Sequence, residues 1–195
     1  MIDGQNRLAQ VGSTSIGFDG RGNLNNDGGA SYSYNANNLL TSMSTGATLS
    51  YDAENRLHSI AKNGTVTQFL YDGSDMIAEY DGSGNQLRRY VHGPGDDEPV
   101  VWYELSDSTN PKRYLNADNQ GSITSVTNGS GSVLNTTNYS EYGLMTPSNG
   151  TYQSRFSYTG QMYLPEIGMY YYKGASTTLP LVVLCRLTRL GMEMA

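Results

Sequence analysis

Apolar and polar residues alternate along short stretches of this chain, as in Ala30-Ser31-Tyr32-Ser33-Tyr34. A period of two marks a strand, because successive side chains point to opposite faces of a sheet. No segment sustains a 3.6-residue apolar period with proper caps, so helix content should be minimal. β-rich runs such as 65–71 adjoin Asn-Gly pairs, at Asn63-Gly64, Asn128-Gly129 and Asn149-Gly150, each a two-residue hairpin signal.

The pattern repeats. An aromatic-Asp pair, a few small residues, an Asn and a Leu recur as Phe18-Asp19-Gly20-Arg21-Gly22-Asn23-Leu24 and Tyr34-Asn35-Ala36-Asn37-Asn38-Leu39. The clearest copy is Tyr51-Asp52-Ala53-Glu54-Asn55-Arg56-Leu57. Weaker copies begin at Tyr71-Asp72 and Tyr80-Asp81, and Gln5-Asn6-Arg7-Leu8 reads as the tail of one whose aromatic-Asp pair precedes Met1. The leading residues fall at 18, 34, 51 and 71, spacings of 16, 17 and 20. That is one β-hairpin per unit, too short for a propeller blade or helical pair. Tyr ends a strand, Asp opens the turn through its own backbone, Asn or Gly takes positive φ, and Leu starts the return.

Composition agrees, with 23 Gly for turns and 16 Tyr against 3 Phe and 1 Trp. Tyr suits half-buried strands, its ring on a sheet face and its hydroxyl on a partner. The net charge is −6, and the 12 Lys and Arg form no stripe, which argues against nucleic acid as a partner. The single Cys185 forms no internal disulfide, and the longest apolar run, 179–185, is too short for a membrane span. No signal peptide is visible at the start, so the fragment alone is expected in the cytoplasm.

These repeats resemble the YD-repeat superfamily of RHS proteins, toxin-complex C subunits, wall-associated repeat proteins and teneurins. Further along, Arg88-Arg89-Tyr90-Val91-His92-Gly93-Pro94 looks like the approach to the RHS-associated core. Asp118 and Gly121, within Tyr114-Leu115-Asn116-Ala117-Asp118-Asn119-Gln120-Gly121-Ser122, are similar to the family's YLHADHQGS stretch. Tyr139-Ser140-Glu141-Tyr142-Gly143 resembles its Y-D-x-Y-G element. Arg155-Phe156-Ser157-Tyr158-Thr159-Gly160-Gln161, with Pro165, Gly168, Tyr170, Tyr171 and Tyr172 beyond it, is similar to the opening of that core. The resemblance implies an all-β fold of consecutive antiparallel hairpins in a curved, spiralling sheet, an arc of a hollow shell. It divides the chain into repeats at 1–90, the start of the core at 91–173, and a tail at 174–195 outside the family pattern. A one-base shift of codons for that tail re-reads as the family's continuation, so its 22 residues are expected to be out-of-frame translation.

The resemblance also implies a secreted or cell-surface setting, with the rest of a shell or a toxin cargo as partners. It implies a non-catalytic wall that here lacks the family's Asp-Pro cleavage element and toxin. Exposed strand edges should favour self-association. A Tyr-rich surface binding carbohydrate or protein is the alternative, with Tyr170-Tyr171-Tyr172 as stacking rings unless alternate rings face a core. No cofactor, metal or catalytic set is expected. Asp19 and Asp81 read as repeat turns rather than calcium loops, Asp96-Asp97-Glu98 as a solvated loop, and His58 and His92 as strand residues.

Overall fold

The computed structural model describes residues 2–109, 111–146 and 153–173. The hairpin at Asn149-Gly150 and the tail at 174–195 lie outside them. Two small hairpins come first: β1 (Gln10–Val11) with β2 (Thr14–Ser15), and β3 (Gly17–Phe18) with β4 (Leu24–Asn26). Then one antiparallel sheet of 11 strands runs in strict chain order. Its strands are β5 (Tyr32–Tyr34), β6 (Leu40–Met43), β7 (Ala47–Tyr51), β8 (Leu57–Lys62), β9 (Thr65–Asp72) and β10 (Asp75–Asp81). They continue as β11 (Gln86–His92), β12 (Pro99–Glu104), β13 (Lys112–Ala117), β14 (Ile123–Asn128) and β15 (Val133–Thr136). The sheet is open, with β5 and β15 at its edges. A final hairpin, β16 (Met162–Leu164) with β17 (Met169–Tyr171), follows a 3-10 turn at Tyr158–Gly160. The fold is all-β, as the sequence led one to expect, and the 90/91 division falls inside β11.

One turn recurs along the chain, opening at Asp3, Asp19, Asn35, Asp52, Asp81, Asp118, Asn128 and Ser140. At Asp52 the backbone N–H bonds the Arg56 carbonyl at 2.9 Å and the Asn55 N–H bonds back at 3.1 Å. The Asp52 carboxylate accepts the N–H groups of Glu54 and Arg56, both at 2.9 Å. Asn55 then takes φ of 64°, the left-handed conformation that Asn and Gly tolerate best. This is a type I turn closed by a left-handed bulge residue.

Several sequence readings change at this level. Ile2-Asp3, not a pair before Met1, opens the copy ending in Leu8, and the copy at Tyr34 returns on Leu40, which pairs with Tyr34, not on Leu39. Tyr71-Asp72 opens no such turn, because Asp72 pairs directly with Asp75 across a two-residue loop. Asn63-Gly64 is the two-residue hairpin predicted, with both residues at positive φ. Asn128-Gly129 is not. There Asn128 opens the recurrent turn, and the left-handed residue is Gly131, at φ of 82°.

The core lies on one face of the sheet, from Tyr32 and Leu40 through Leu57, Ile60, Phe69, Met76, Tyr90 and Trp102 to Leu115, Ile123 and Val126. Segment 153–173 covers that inner face and adds Phe156, Met162, Leu164, Ile167 and Tyr171 to the same cluster. The turn assignment has a direct test in one loop. Gly129→Ala should be neutral or slightly stabilising, because Gly129 is not left-handed and a Cβ there meets open space. Gly131→Ala should cost about 1 kcal/mol through its backbone alone, read as a lower urea midpoint. An Asn-Gly hairpin would reverse that order.

Candidate functional site

The turns at one end of the sheet carry a ladder of hydrogen bonds. The Tyr34 hydroxyl donates to the Leu24 carbonyl at 2.9 Å and Tyr51 to that of Leu40 at 2.9 Å. Tyr71 donates to Leu57 at 3.0 Å and Tyr139 to Ile123 at 2.7 Å. Each acceptor begins a strand just after the preceding turn at that end. The repeat tyrosine thus ties one hairpin to the one before it. His92 fills the rung between Tyr71 and Tyr139, with its Nε2 3.0 Å from the Met76 carbonyl. A carbonyl only accepts, so Nε2 carries the proton. The Nδ1 atom is buried without a hydrogen-bond partner, 4.0 Å from Asp75 Oδ1.

Burial raises the pKa of these tyrosines, to about 12 for Tyr34 and for Tyr139. Tyr51 and Tyr71 are pushed further up, again chiefly by burial. Tyr80 leaves the ladder. A bulge between Met76 and Ala78 shifts the face of β10, so fully buried Glu79 opposes Phe69 on the inner side. Tyr80, opposite Gln68, is left on the outer side.

Glu79 is the centre of the second feature. It accepts from Tyr90 Oη at 2.6 Å, Arg155 Nη2 at 2.8 Å and Arg88 Nη1 at 3.1 Å. Arg155 also meets both Glu166 oxygens, at 3.0 and 3.1 Å, and Arg88 meets Glu104 at 2.8 Å. Burial pushes the Glu79 carboxyl up, but Arg155, Arg88 and the Tyr90 hydroxyl outweigh it and hold the group below its usual range. Burial and the Glu79 charge keep Tyr90 protonated. Arg155 stacks over Phe69, with the guanidinium carbon 5.4 Å from the ring centre, and Phe156 packs edge-on against Tyr90 and His92, with ring centres at 5.0 and 5.2 Å.

Segment 153–173 crosses the ladder end of the sheet and docks on successive turns. Tyr171 accepts the Leu57 N–H at 3.0 Å, and Lys173 meets Asp75 at 3.2 Å and Asp97 at 2.6 Å. Gln161 donates to Asp97 at 2.7 Å, the Thr159 N–H to Ser122 Oγ at 3.0 Å, and Tyr170 to the Gly143 carbonyl at 3.0 Å. Gly160 is required here, since any Cβ would run into the Asp97 carbonyl. Asp97 is therefore a docking residue and not part of a solvated loop. Tyr170 and Tyr171 are both buried, not alternately so, because each serves a different partner, and Tyr172 meets Thr159 at 3.2 Å.

Among the other motif residues, Arg56 pairs with Asp52 at 2.7 Å, and Gly121 packs against the Thr159–Gly160 backbone. Gly93 lies against the Glu98 side chain, and the Tyr158 ring covers Gly143. Arg89 and Tyr142 are exposed, Pro165 lies in the exposed part of the β16–β17 loop, and Gly168 is its left-handed residue. The Asp19 and Asp81 carboxylates are spent on turn N–H groups and on Asn23 and Asn85. Sequence reasoning missed Glu79. Its only trace was an acid in the apolar run Met76-Ile77-Ala78-Glu79-Tyr80.

A family model described as Teneurin YD-shell matches residues 1–177. The chain belongs to the teneurin YD-shell family. This YD-shell chain is 28% identical over 178 residues to the tRNA3(Ser)-specific nuclease WapA of Bacillus spizizenii, covering 85% of itself and 7% of that protein. The tRNA nuclease WapA of Bacillus subtilis (strain 168) is also 28% identical, over 177 residues, with the same shares covered. The YD-shell chain thus spans 7% of the length of these curated relatives. In fold it is similar to a chain of the Photorhabdus luminescens Tc holotoxin pore with a mutated TccC3, at TM-score 0.62 and 15% identity, covering 80% of itself and 9% of that chain. A TcdB2–TccC3–Cdc42 crystal structure gives TM-score 0.57 at 15% identity, over 82% and 10%.

The ladder predicts two measurable effects. Tyr51→Phe leaves the Leu40 carbonyl without its donor and should cost about 1 kcal/mol in urea unfolding. The folded state prefers neutral tyrosine, so this stabilisation is complete below the unfolded pKa of about 10. For the Tyr34 and Tyr139 rungs it should be lost as pH rises through about 12, and for Tyr51 at higher pH still.

Proposed function

We propose that this chain forms an arc of a shell wall whose work is geometric, enclosing a polypeptide cargo without catalysing a reaction. The open 11-stranded meander carries this reading. One turn and one kind of rung recur from hairpin to hairpin, though not at every one, so the arrangement extends by repetition toward a closed wall. The nuclease activity in the names of the WapA relatives would then belong to parts of those proteins that this stretch does not represent. Residues 1–90 serve as wall repeats and 91–173 as the start of a core, whose segment 153–173 lines the inner face. Toxin cargo and an extracellular setting follow from the same family reading.

The stacking-ring alternative loses its surface, because Tyr170 and Tyr171 are buried in contacts with the chain's own backbone.

An arc should behave differently from a finished binding module. The edge strand β15 exposes Val133, 61% accessible, beside its open backbone edge. Sedimentation of the purified chain should therefore show concentration-dependent association without any ligand, and Val133→Lys should weaken it several-fold. A chain that stays monomeric throughout while binding a glycan array would overturn the wall reading.

A further inference from the structure

Segment 153–173 is fastened to the sheet by charges of one arrangement. Among the described residues, the ion pairs between them set carboxylates of the sheet, Glu79, Asp75 and Asp97, against cations of the segment, Arg155 and Lys173. The other charged and titratable groups at these contacts are Arg88 and Tyr90 on Glu79, Glu104 on Arg88, and Glu166 on Arg155. Lys62 donates to the Glu166 carbonyl. His92 lies edge-on to Phe156 of the segment, with its unpartnered Nδ1 facing the same Asp75 oxygen that Lys173 uses.

A proton taken up at a sheet carboxylate that faces the strap loosens it. Protonating Glu79, Asp75 or Asp97 removes a negative charge from a buried or half-buried cation. Arg155, 5% exposed at its side chain, then stays charged with only Glu166, from its own segment, to answer it.

We propose that segment 153–173 is an acid-released strap, which leaves the inner face of the sheet on acidification while the hairpins beneath stay paired. The Glu79 carboxyl is held low in the folded chain, so its contribution is present above the unfolded value of about 4.3 and lost as pH falls through the lower folded one. The turn carboxylates Asp3, Asp19, Asp52 and Asp81 are also held low and weaken on acidification, but the hairpins keep their backbone pairing, whereas the strap reaches the sheet chiefly through side chains, with the Glu79 ion cluster at their centre.

The single tryptophan of the chain reports on the strap. Trp102 is 2% exposed on the inner face, opposite Tyr90, and lines one recess with Gln153. The full chain is titrated from about pH 7 to about pH 3, following Trp102 emission wavelength and far-ultraviolet circular dichroism together. The emission should move to the red at a higher pH than the β signal is lost. Glu79→Gln, which mimics the protonated carboxyl, should shift the emission transition upward by at least half a pH step and leave the β transition in place. Coincident transitions in the parent chain would overturn the strap, and so would a folded Glu79→Gln protein whose emission transition does not move. Should that variant not fold, the separation of the two parent transitions decides alone.

Discussion

A side-chain oxygen accepting two backbone N–H groups ahead of a left-handed residue is the contact from which this fold is built. It reverses the chain in five residues, places a bulge at the end of the incoming strand, and so sets where the outgoing strand starts. With the start of that strand set, its first carbonyl lands where the next tyrosine can reach it. The ladder is thus a consequence of the turn. This explains why Tyr, and not Phe, leads most repeats. A buried ring alone would satisfy packing, but the strand-start carbonyls need a donor, and the hydroxyl supplies one.

Much of this was legible in the residues. The turn has a local grammar, Asp or Asn, a small residue, one further residue, then Asn or Gly, and the copies at Asp19, Asp52 and Asp81 all carry it. Where the grammar is written in other letters, the chain is harder to read. Ser140 opens the same turn with a hydroxyl, 3.2 Å from the Leu144 N–H, and Asn128-Gly129 resembles a different turn entirely. Asp72 shows the opposite failure, a correct Tyr-Asp pair whose loop is one residue too short.

Other features depend on long-range register, which no local pattern carries. One bulge in β10 turns Glu79 inward and Tyr80 outward, so the repeat's own tyrosine loses its rung. His92 takes a rung because its ring nitrogen reaches as a tyrosine hydroxyl would, an equivalence visible only once Met76 lies beside it. The docking of 153–173 joins residues up to 114 positions apart, as between Leu57 and Tyr171. The motif around Arg155 could be recognised in the sequence, but its partner Glu79 could not.

The buried charges raise a question of economy. An arginine and a glutamate buried in an apolar face, with a second arginine at its margin, are costly to desolvate, and well-packed apolar groups of similar size often do as well or better for stability. Their advantage here lies in position. The inner face is a continuous apolar surface, on which a hairpin such as β16–β17 could slide by a residue with little change in buried area. A guanidinium held by Glu79 on one side and Glu166 on the other, over the Phe69 ring, has one acceptable location. Any slip leaves a charge buried without a partner, a penalty larger than the contacts a displaced hairpin recovers. The ion cluster therefore selects the register of the segment, while the apolar contacts around it supply the adhesion.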